Sequence, residues 1–197
     1  MESFSDGVIA VAITLLVLNI RVPMPDAASL ADGLGHQWPS YAAYATSFIT
    51  IGIIWINHHV MIGRLARTDH SILILNIVLL LTIGLLPFAT DLLAQYLNHT
   101  QGEHLAAAVY GGAFLLMSIA FFALNCFILL RKSHMLQVEL TMATRSRILA
   151  RGFTGIPPYI IATAIAPASQ YATLAICAGI AVFYALPIAS GATQAAG

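Results

Sequence analysis

The sequence predicts an all-α, polytopic membrane protein of six transmembrane helices with no soluble domain. Two observations carry that prediction. Of the 197 residues, 59% are hydrophobic and 8% charged, whereas a soluble domain carries about 25% charged residues. Polar breaks then divide the chain into six apolar stretches, and a bilayer span needs roughly 20 apolar residues. Eight Lys and Arg balance eight Asp and Glu, so there is no basic excess of the kind that neutralises phosphates, and nucleic acid is set aside as a partner. The lipid bilayer is the expected surrounding.

The first span is expected over about 4–22. It begins FSDGVIAVAITLLVL and carries Glu2 and Asp6 where a secretory signal would be basic, so it reads as a span rather than a leader. Pro23 and Pro25 stop it. The second span, about 38–62, closes on Arg64 and Arg67. The third, about 71–93, contains Pro87, which removes a backbone donor and should kink the helix. The fourth runs over about 105–130 and ends in Arg131 and Lys132.

Residues 131–151 hold Arg131, Lys132, Arg145, Arg147 and Arg151 and read as a cytoplasmic loop. The fifth and sixth spans, about 152–166 and 170–189, are Ala- and Gly-rich, and the fifth carries Pro157 and Pro158. Positive charge accumulates in cytoplasmic loops. Seven of the eight basic residues follow spans two and four, which places both termini in the cytoplasm. The short tails leave no room for a catalytic domain, and no Walker, GxSxG or HExxH signature occurs, so an enzyme is not expected.

Within the first span, Ser5 and Asp6 fit an N-cap role at the first turn. Val11, Leu15 and Leu18 recur at i, i+4 and i+7 as one apolar stripe, with Thr14 beside it. Such a stripe ordinarily serves packing or lipid contact. Around a symmetry axis, four copies of it would line a hydrophobic constriction of the kind that gates ions by dewetting.

Span two places Trp55, Asn57, His58 and His59 in about one turn. Polar groups at membrane depth are costly and face the protein interior or a site. Adjacent His58 and His59 point about 100° apart, so the pair does not chelate one metal, and no metal site or cofactor is expected. Asn76, Asp91 and Asn125 are isolated and read as interhelical hydrogen-bonding or interface residues, and Cys126 and Cys177 as small packing groups. Tyr110, Gly111 and Gly112 do not replace a TVGYG potassium filter.

Three segments in order, FSDGVIAVAITLLVL at 4–18, GIIWINHH at 52–59 and LNIVLLLTIGLLPF at 75–88, resemble the transmembrane-protein-175 family. The resemblance implies a potassium-preferring cation channel of a bacterial plasma membrane, with residues 1–197 forming one six-helix channel unit and four units assembling as a homotetramer. The first helix would line the pore. The family's constricting positions fall on Val11, Leu15 and Leu18, and its pore-facing threonine on Thr14. The signature residues Phe4, Ser5 and Asp6 would be held by Trp55, Asn57, His58 and His59, and potassium would pass without any bound cofactor. A secondary transporter with broken helices, or a membrane protein of purely structural role, are the competing readings.

Overall fold

The computed structural model describes residues 1–23 and 29–186. Helix α1 spans Glu2–Leu15 and tightens into a 3₁₀ turn at Leu16–Asn19 before the chain turns extended at Ile20. The first span therefore ends earlier than Pro23 alone suggests: the backbone is already extended at Ile20, three residues before it. Fourteen α-helical and four 3₁₀ residues still reach roughly 29 Å at 1.5 and 2.0 Å per residue, about one hydrocarbon thickness. Pro25 and Asp26 lie outside the described residues.

A short helix α2, Leu30–His36, is capped by Ser29, whose hydroxyl accepts the N–H of Asp32. Helix α3, Trp38–Ile62, has Pro39 in its first turn, where the missing N–H is harmless. Helices α4, His70–Gly84, and α5, Leu86–Tyr96, form one apolar stretch interrupted at Leu85. Pro87 lies just beyond that break, in the first turn of α5, as expected of a residue that cannot bond back to the preceding turn.

Helix α6, Glu103–Cys126, continues through a π turn at Phe127–Arg131. It is followed by α7, Met142–Phe153, α8, Ile156–Ile165, and α9, Gln170–Ala185. Residues 187–189 of the expected sixth span lie outside the described residues. Among the described residues, five helical stretches are long and apolar enough to cross a membrane, and Gln170–Ala185 is a shorter apolar helix. The protein is an all-α membrane protein.

The 131–151 segment is not a plain loop. Thr141 caps α7 by accepting the N–H of Thr144, and α7 runs almost directly into α8 through Thr154 and Gly155, both in right-handed helical conformation. Pro157 falls in the first turn of α8, a position where proline favours helix initiation.

Helix α6 packs against α4, α5, α8 and α9, and α3 against α5 and α9. Gly111 sets the α6–α8 distance: a Cβ there would come within 3.2 Å of the Thr163 backbone. Beside it, Phe114 stacks on Tyr159 and meets Tyr110 edge-on, while Ser47 bonds both Thr90 and the Tyr110 hydroxyl. Tyr110 and Gly111 thus serve packing between helices.

At one end of the bundle the two basic loops are tied together. Leu65 and Leu136 form an antiparallel bridge, with Ala66 N–H donating to the Met135 carbonyl and Gln137 N–H to the Arg64 carbonyl, each at 2.8 Å. Lys132 Nζ lies 2.6 Å from Asp69, and this donor, with the N–H of Ile72, holds the Asp69 carboxyl below its usual range.

Candidate functional site

Helix α1 packs on α3, α4 and α5 through a narrow face. Ile9, Ala12 and Leu16 are 1%, 3% and 0% exposed, whereas Val11, Leu15 and Leu18 are 57%, 44% and 70% exposed. The predicted stripe is therefore the side of α1 that the protomer leaves uncovered. Thr14 shares that exposure, with its hydroxyl donating to the Val11 carbonyl at 2.9 Å. Because Leu16–Asn19 is 3₁₀, Leu18 departs from the ideal 100° spacing that places Val11 and Leu15 in register.

The opposite face of α1 is anchored by a polar chain through buried side chains. Asn76 on α4 donates from Nδ2 to Ser5 Oγ at 2.9 Å, and its Oδ1 lies 2.7 Å from His58 Nε2 on α3. Ser5, Asn76 and His58 are all buried, so three helices meet on hydrogen bonds shielded from solvent. Such bonds gain strength at low dielectric, and breaking one there orphans its partner. Ser5 also donates to the Met1 carbonyl at 3.2 Å, securing the first turn. His58 Nδ1 is buried and has no hydrogen-bond partner among the described residues.

A second, more exposed set lies one turn away. Trp55 Nε1 donates to Asp6 Oδ1 at 2.8 Å, and His59 Nδ1 lies 3.1 Å from Glu2 Oε1. The Trp55 and His59 rings are 5.9 Å apart, so the two contacts brace one another. Glu2, Asp6 and His59 bring one ligand atom each within 4.8 Å of one another. Three exposed or half-buried donors already engaged with Trp55 and with each other fall short of the four ligands of a structural zinc centre, and they act here as helix-to-helix ties.

The structure thus brings Ser5, Asp6, Trp55, His58 and His59 together. Phe4 is not part of that set and faces outward, exposed. Asn57 is exposed too, and its amide donates to the Ile53 carbonyl of its own helix. One member of the cluster, Glu2, escapes a reading of motifs, and the hub is Asn76. Asn76 is the interhelical bonder its isolation suggests, while Asn125 and Asp91 bond within their own helices, to the Phe121 carbonyl and to Gln95.

Helix α1 thus leaves one apolar face uncovered and is pinned from behind through Ser5, Asp6, Trp55, His58, His59 and Asn76. A profile of the endosomal/lysosomal potassium channel TMEM175 matches residues 1–87. Over 188 residues the chain is 42% identical to a protein of Streptomyces collinus named as a potassium channel, covering 93% of this chain and 89% of that one. The chain belongs to the TMEM175 family.

A crystal structure of a lysosomal potassium-selective channel TMEM175 homolog from Chamaesiphon minutus is similar throughout. It superposes with a TM-score of 0.83 at 37% identity, over 93% of this chain and 94% of that one. A Gallus gallus protein named as an endosomal/lysosomal proton channel TMEM175 is 37% identical over 112 residues, 52% of this chain and 22% of that protein. TMEM175 proteins are ion channels, not enzymes. The profile match covers α1 to α3, the interruption at Leu85 and the start of α5, so it spans every residue of the polar anchor.

Proposed function

We propose that this chain is a potassium-selective channel that works as a homotetramer, each protomer contributing one six-helix unit over residues 1–197. Four copies of α1 surround the pore. Val11, Leu15 and Leu18 form its hydrophobic constriction, and Thr14 offers the nearest hydroxyl oxygens. The observation that carries this reading is the asymmetry of α1: one face is anchored to α3 and α4 by buried hydrogen bonds, while the apolar stripe has no covering within the protomer. Supporting it are the potassium-channel names of the Streptomyces and Chamaesiphon relatives.

In this arrangement an ion sheds water at an apolar ring instead of exchanging it for filter carbonyls. Potassium, which holds its water less tightly than sodium, passes at lower cost. The anchor keeps the stripe aimed at the axis, since any rotation of α1 would break the Ser5–Asn76 and Asp6–Trp55 bonds together.

The membrane is the bacterial plasma membrane, with both termini cytoplasmic. The Glu2–His59 contact places the start of α1 beside the end of α3, the end that leads into the bridged basic loops. With Arg64, Arg67, Arg131 and Lys132 gathered there, the positive-inside rule makes that end cytoplasmic.

Purified protein in liposomes should pass potassium faster than sodium, and its native mass should correspond to four chains. Equal fluxes, fluxes no greater than those of empty liposomes, or a monomer would overturn the reading. Saturable exchange of a solute against a fixed number of ions would favour a transporter instead.

A further inference from the structure

Beyond α6, the chain forms an open groove of about 470 Å³ that the α1 pore does not use. Phe122 and Leu130 supply one wall, and Met142, Leu149 and Phe153 of α7 the other, with the half-buried Arg145 also in the lining. The Phe122 and Phe153 rings of its two walls are 5.8 Å apart. Helix α7 packs on α6 and α8, whereas α1 packs on α3, α4 and α5, so the groove opens on a different flank from the proposed pore.

Charge identifies what this groove would hold. Helix α7 carries Arg145, Arg147 and Arg151 and no acidic residue. At 100° per residue, Met142, Leu149 and Phe153 fall within one narrow arc, with Arg147 and Arg151 on the far side. That is the pattern of a helix resting at a membrane surface, apolar side to acyl chains and basic side to headgroups.

Arg145 stands between the two. Its Nε donates to the Leu140 carbonyl at 3.0 Å and its Nη1 to the Leu129 carbonyl at 3.4 Å. These bonds fix the guanidinium without neutralising its charge, and the turn it bonds to, Phe127–Arg131, ends in the exposed Arg131. A fixed, half-buried cation in the lining of an apolar groove matches a molecule with an acyl chain and an anionic phosphate.

We infer that the groove between α6 and α7 is a binding site for one anionic phospholipid, its acyl chain lying between Phe122, Leu149 and Phe153 and its phosphate on Arg145 and Arg131. The site does not depend on α1 lining a pore, and its test reads lipid retention rather than ion flux.

The full chain in a neutral detergent would be incubated with phosphatidylglycerol or phosphatidylcholine and the retained lipid counted by native mass spectrometry. Phosphatidylglycerol should be retained in preference, and each arginine removed, in Arg131→Gln and in the double variant with Arg145→Gln, should weaken retention about fivefold. Ser146→Trp keeps every arginine and fills the groove, so it should also displace the lipid and covers the case in which the double variant does not fold. Equal retention of the two lipids would overturn the inference. So would unchanged retention in Ser146→Trp, or displacement of the lipid by millimolar inorganic phosphate, which would make the site one for free anions.

Discussion

Replacing Asn76 with Ala is expected to destabilise the protein by about 2 kcal/mol, since it strands two buried groups at once. Ser5 Oγ loses its donor and His58 Nε2 its partner, and neither can turn to water. Interhelical hydrogen bonds in membranes average nearer 0.6 kcal/mol, so the excess measures the desolvation of the orphaned groups. For a chain of this size that corresponds to a melting shift of roughly 4–8 °C. Asn57→Ala is the matched comparison, because its amide reaches only the Ile53 carbonyl at an exposed position. It should change stability by no more than about 0.5 kcal/mol. Equal effects from the two substitutions would remove Asn76 from the centre of the anchor.

The second large effect is on conduction. Leu15→Asn places an amide in the proposed constriction, where it offers a permeating ion a polar partner and holds water in a ring that otherwise dries. Sodium leak through liposome-reconstituted protein should rise by roughly tenfold, equivalent to about 1.4 kcal/mol off the barrier, and the preference for potassium should shrink. Leu15 is exposed within the protomer, so the variant should fold normally. Unchanged selectivity would mean that ions travel elsewhere.

The motifs in the sequence foreshadow much of the anchor. Asp6 and Trp55 lie 49 residues apart and bond directly, and both are conspicuous in the sequence because polar or amphipathic groups at membrane depth need a reason. Asn76 is less legible. A lone amide inside ILILNIVLLL signals that it bonds something, but its two partners are 71 and 18 residues away, and only the packing of α1, α3 and α4 around it names them. Asn57 shows the reverse failure: adjacency to His58 suggested a shared role, yet about 100° of helical turn separates neighbours, and its side chain satisfied itself one turn back.

The segment 131–151 concealed a helix because five basic residues dominate its composition. Its apolar period, Met142, Leu149 and Phe153, is sparse, and the capping role of Thr141 becomes plain only with the backbone in view. The early end of α1 has a similar origin. Apolar character continues through Val22 although the backbone has already left the helix at Ile20, since hydropathy records where a residue can sit and not which dihedral angles it adopts.

The central claim is that the exposed stripe of α1 faces the ion path, and thiol modification tests it most directly. In a chain whose Cys126 and Cys177 are replaced by Ala, Val11→Cys presents a thiol on the stripe, while Ala12→Cys presents one on the packed face. A positively charged methanethiosulfonate reagent should abolish potassium flux through the Val11→Cys protein and leave the Ala12→Cys protein conducting. Full labelling of Val11→Cys with potassium flux undiminished would contradict a pore lined by α1.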